Sequence, residues 1–118
     1  MVYIKDDQMP HGITEMSVEF VKKNLERLGR PQSVVITKVA SLDWVTEIVG
    51  SRGEIVTDGF STGYSGEGPT GLRTVLELLG IEPIPAPSEV ALADEGKLKE
   101  RQFVWKARPK YTLLISKS

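Results

Sequence analysis

Cysteine is absent from the 118 residues. That excludes disulfides, thiolate-bound zinc, iron–sulfur clusters and thiol nucleophiles. Histidine occurs once, as His11, so a multi-histidine metal centre is excluded and any Ser-His-Asp arrangement depends on that residue. No apolar run approaches the roughly 20 residues that cross a bilayer. The opening Met1-Val-Tyr-Ile-Lys-Asp-Asp carries acids where a signal peptide carries bases. A cytoplasmic location with no membrane partner is the expectation. A net excess of either charge is nearly absent too: 15 bases stand against 16 acids for a formal net charge of −1, which gives no long-range pull toward nucleic acid.

What remains is ordinary globular material, 40% hydrophobic and 26% charged. It suits a single domain over 1–118 with a real core. No repeat or low-complexity segment stands out.

Val2 to Lys5 reads as a short first strand. Val18, Val21, Leu25 and Leu28 share one helical face; Ser17 is placed to cap that helix, and Gly29 and Pro31 to end it. Residues 33–58 read as three antiparallel strands, with 44–58 a hairpin. Its turn, Gly50-Ser51-Arg52-Gly53, offers two residues that tolerate positive φ. A second helix begins near Pro69, shows the stripe Leu72, Val75, Leu76 and Leu79, and stops at Gly80. Pro83, Pro85 and Pro87 alternate and favour an extended connector. Residues 88–95 allow a short helix, and 103–106 and 111–116 read as closing strands. The expected fold class is α+β: a mostly antiparallel sheet of about five to six strands with two helices packed on one face.

Between the hairpin and the second helix lies a loop holding Gly59, Gly63, Gly66, Gly68 and Gly71. Gly66-Glu67-Gly68-Pro69-Thr70-Gly71 matches G-x-G-x-x-G. The dinucleotide fold it suggests lacks its context. Ser61 to Ser65 intervene after the strand, prolines stand where the next parallel strand belongs, and no acidic residue follows a convincing strand about 20 residues on. A phosphate-loop Lys-Ser or Lys-Thr is absent as well.

A looser reading holds. A long loop rich in glycine and hydroxyls at a helix start can bind a phosphate or carboxylate through backbone N–H groups. The candidate ligand-binding residues are Ser61, Thr62, Tyr64, Ser65, Gly66, Glu67, Gly68, Thr70, Gly71 and Arg73. Tyr64 is suited to stack on a base, Glu67 to accept from a ribose or an amine, and Arg73 to reach back toward the helix start. The leading function is a small-molecule binding module for a phosphate-bearing, nucleotide-like or other anionic ligand. No cofactor or metal is called for.

From Lys97 onward there are seven bases (Lys97, Lys99, Arg101, Lys106, Arg108, Lys110 and Lys117) against one acid, Glu100. Phe103, Trp105 and Tyr111 are interleaved with them. This is the pattern of a single-stranded nucleic-acid or protein interface, with Lys99, Arg101, Trp105, Lys106, Arg108 and Lys110 as candidates. The simpler reading turns the aromatics into the core and leaves the lysines in water. Asp6, Asp7 and His11 lack a metal-ligand spacing. No catalytic constellation is specified: Gly63-Tyr-Ser65-Gly66 is no nucleophile elbow. A catalytic use of Glu67 as base or Tyr64 as proton donor presupposes the ligand.

Overall fold

A computed structural model describes residues 2–5, 12–94 and 98–108. In chain order the elements are β1 (Val2–Lys5), α1 (Thr14–Leu28), β2 (Pro31–Ala40), β3 (Asp43–Gly50), β4 (Gly53–Thr57), α2 (Glu67–Leu78), a 3-10 turn (Pro87–Glu89), the single-turn α3 (Leu98–Arg101) and β5 (Gln102–Lys106). The strands form one sheet in the order β1-β4-β3-β2-β5. The class is α+β. The antiparallel run is β4-β3-β2-β5, four strands rather than five to six, and β1 joins β4 in parallel at the edge. The expected strand 111–116 lies outside the described residues.

Strand register explains where the core sits. Side chains alternate across a strand, so residues directly opposite share a face. Ile4, Ile55, Ile48, Val34 and Trp105 fall in one cross-sheet row, and all five are buried. The next row on that face holds Thr57, Thr46, Ile36 and Phe103. Val21 and Leu28 of α1 and Leu72, Val75 and Leu76 of α2 belong to the same core cluster. Both helices therefore pack on one face, and truncating a central residue such as Ile48 to Ala removes about 3 kcal/mol or more.

Three local expectations are corrected. Helix α1 begins at Thr14, three residues before Ser17. Ser17 is instead buried inside the helix, its Oγ 2.6 Å from Thr57 Oγ1; the buried pairing with β4 outweighs a capping role. Gly50 and Gly53 do not adopt positive φ. A β-carbon at Gly50 would run into the Leu28 carbonyl, so this glycine serves close packing rather than a turn. In 88–95, only the 3-10 turn at Pro87–Glu89 forms among the described residues; Val90 turns extended and ends it. Gly29, at φ 79°, does end α1 as expected.

Candidate functional site

The candidate site grows from the end of β4. After Thr57 the chain passes through Phe60, which is 1% exposed and anchors the segment in the core. Ser61 and Thr62 follow, both buried. The Gly63 amide donates to the Pro87 carbonyl at 3.0 Å, so the 3-10 turn holds the loop from behind. The chain then emerges: Tyr64 is 49% exposed, and Ser65, Glu67 and Thr70 are exposed. Tyr64 Oη and Ser61 Oγ lie 2.8 Å apart, which fixes the half-exposed ring across the loop.

Helix α2 starts in this setting without a capping side chain; its N-cap is Gly66. A helix leaves its first N–H groups without intrahelical partners, and the dipole makes that end positive. The Thr70 amide closes the first turn on the Gly66 carbonyl at 3.1 Å, and Gly71 lies within the helix. Pro69 has no amide hydrogen. The amides of Gly66, Glu67 and Gly68 find no acceptor among the described residues. Of the amide donors expected at this end, Gly66 and Gly68 are therefore unspent, while those of Thr70 and Gly71 serve the helix.

Glycine at positions 68 and 71 has a structural cause. A β-carbon at Gly68 would collide with Ser61 Oγ, and one at Gly71 with Thr14 Cγ2. These residues let the first turn of α2 lie against the loop and against α1. The G-x-G-x-x-G pattern thus records close packing of this helix.

Arg73 does not reach back to the helix start. Its Nε lies 3.9 Å from Glu77 Oε1, one turn further on, with both side chains largely exposed. Glu67 is the acidic residue of the first turn, where its charge complements the dipole. Thr62 Oγ1 is buried with no hydrogen-bond partner among the described residues; Trp44 Nε1 and Thr46 Oγ1, on β3, share that condition.

Four features of this region escaped the sequence: the Phe60 anchor, the Pro87 carbonyl behind Gly63, the Ser61–Tyr64 hydroxyl pair and the role of Asp58. Asp58 Oδ1 accepts the Gly12 amide at 3.0 Å, just before α1. The alternating prolines were the only signal of a rigid backing segment. A hydroxyl pair three residues apart across a glycine has no periodic signature.

The basic C-terminal strand is organised differently. Trp105 is 2% exposed, donates Nε1–H to the Pro85 carbonyl at 2.9 Å and packs edge-on against Phe103 at 4.7 Å. It offers no open ring for a base. Arg101 donates to the Lys38 and Val39 carbonyls, and Arg108 pairs with Glu82 at 3.1 Å. Lys106 is exposed. Lys110, Asp6, Asp7 and His11, and the side chain of Lys99, lie outside the described residues. Lys38, which stands on the core side of β2, pairs with Asp94 and lies 5.1 Å over the Trp44 ring; hydrogen bonding to its ammonium holds the Asp94 carboxyl below its ordinary value.

No three-residue cluster of metal-ligating side chains occurs among the described residues. Nor is any helix there long and apolar enough to cross a membrane. No protein-family model, curated protein or solved structure matches the chain.

Proposed function

We propose that the protein is a binding module for a small anionic ligand, phosphate-bearing and nucleotide-like, held at the start of α2. One observation carries the reading: the Gly66, Glu67 and Gly68 amides stand unspent at the positive end of a 12-residue helix that no side chain caps. Such an end is suited to an anion. The Ser61 and Tyr64 hydroxyls, 2.8 Å apart, stand beside it; one O–H serves the other hydroxyl and the second remains as a neutral donor. The half-exposed Tyr64 ring gives a surface on which a base can stack. The buried, unpartnered Thr62 hydroxyl adds support, since buried polar groups are nearly always paired. Glu67 sets the limit: its carboxylate disfavours a high charge density and favours a ligand that also carries hydroxyl or amine donors.

The test is a thermal-shift series with inorganic phosphate, a nucleoside monophosphate and the corresponding nucleoside. The expected result is a rise in Tm with the monophosphate that exceeds the rise with phosphate and is absent with the nucleoside. Tyr64→Phe and Ser61→Ala should each reduce it. No shift with any anion at millimolar concentration overturns the proposal.

A further inference from the structure

The helices cover one face of the sheet; the other has a composition of its own. Register places Glu54, Val49, Ser33 and Lys106 in one row across β4, β3, β2 and β5. The next row is Val56, Glu47, Val35 and Val104, and the third is Val45, Thr37 and Gln102. None of these residues belongs to the core cluster. Apart from the buried Val56, all are partly or fully exposed, Val104 to 37%. The wet face of an antiparallel sheet is ordinarily polar. Threonine suits a strand as well as valine does, yet valine takes five of these eleven positions. Apolar patches of this kind mark interaction surfaces.

The charges on the face are arranged by sign. Glu54 and Glu47 lie on β4 and β3 at one side, in adjacent rows. Lys106 lies on β5 at the other. A two-fold axis along the strand direction, between β3 and β2, would set β4 over β5 of a second copy and β3 over β2. Residues keep their height along the strand under that rotation. Glu54 then meets Lys106 of the second copy, Val56 meets Val104, Glu47 meets Val35, and Val49 meets Ser33. Face-to-face sheets cross at roughly 30°, which keeps these rows in register near the axis. Every such contact occurs twice, as an isologous interface requires.

We propose that this valine face is the interface of a symmetric homodimer, joined by reciprocal Glu54–Lys106 pairs. Each pair sets the Glu54 carboxylate of one copy against the Lys106 ammonium of the other, at both ends of the joint. The start of α2 lies on the helical side of the sheet, away from this face, so the dimer does not depend on the ligand reading.

Sedimentation velocity on the full chain, from micromolar to submillimolar concentration, tests it. The wild type should be a reversible dimer. Lys106→Glu and Glu54→Lys should each weaken association by about tenfold, and Val35→Arg should abolish it. The double variant carrying both charge reversals should recover wild-type association to within about threefold, because each reversed pair is attractive again. Circular dichroism confirms that each variant is folded. A wild type that stays monomeric at all concentrations overturns the proposal. So does a dimer indifferent to the single charge reversals, or one that the double variant fails to restore.

Discussion

Two helices begin side by side at the end of β4, and their starts are built differently. Next to α1 the chain supplies its own anion: Asp58 Oδ1 takes the Gly12 amide, while Thr14 Oγ1 donates to the Gly59 carbonyl at 2.6 Å and Ser17 Oγ meets Thr57 Oγ1. At α2 the neighbouring segment supplies hydroxyls, from Ser61 and Tyr64, and leaves three amides without an acceptor among the described residues. Neither helix has a side-chain cap, and the Thr14, Glu15 and Met16 amides of α1 are likewise without an acceptor among the described residues; what sets the first start apart is the Asp58 carboxylate beside it. The second has the same dipole, with neutral hydroxyls where the first has that carboxylate. A carboxylate beside a helix start offsets the dipole from within; a start beside neutral hydroxyls can receive an anion from outside.

The largest effect expected from breaking this contrast comes from glycine. A β-carbon at Gly59 would strike Ser17 Oγ and the Ile13 carbonyl, whereas one at Gly66 would press on the half-exposed Tyr64 ring. Gly59→Ala should cost about 3 kcal/mol, lowering Tm by roughly 10 °C, since backbone cannot move aside. Gly66→Ala should cost about 1 kcal/mol or less, because an exposed ring can swing away. Thermal unfolding of the two variants compares the junctions directly.

Thr62→Val sharpens the contrast from the other side. Removing a buried hydroxyl that has no partner should stabilise the apo protein by about 1 kcal/mol. A denaturant titration showing a loss of stability instead would mean that the hydroxyl is already satisfied.

The smallest effect is expected far from both helix starts, on the open face of the sheet. Hydrogen bonding to Glu47, then desolvation and the Glu47 charge, raise the Glu54 carboxyl above its ordinary value. A carboxyl raised in the folded state favours folding below its unfolded value, and that contribution is lost as pH rises through the folded one. Glu47→Gln should therefore stabilise the protein at neutral pH by a few tenths of a kcal/mol, roughly 1–2 °C in Tm. The gain should vanish at a pH below the ordinary glutamate range. A gain independent of pH would contradict the assignment.

Much of the architecture could be read from the sequence because it rests on periodicity. The apolar stripes of α1 and α2, the three central strands and the stop at Gly29 all follow from spacing and backbone preference. The start of α1 did not, because Ser17 is a good capping residue locally and its buried contact with Thr57 spans 40 positions. The parallel edge position of β1 also depends on pairing that alternation cannot show. At the candidate site the sequence marked the segment but not its internal logic. Gly68 and Gly71 looked like room for a ligand and are room for Ser61 and Thr14; Arg73 looked like a partner for an anion and pairs with Glu77. Tertiary contacts decide both, and neither leaves a trace in spacing.

The central claim is that the amides at the start of α2 receive an anion. Amide NMR of the labelled full chain, titrated with a nucleoside monophosphate, observes those groups themselves. Saturable shifts largest at Gly66, Glu67 and Gly68, with the Thr14, Glu15 and Met16 amides at the start of α1 unchanged, are the predicted result. Shifts confined to the basic strand around Lys106, or none at millimolar ligand, would contradict it.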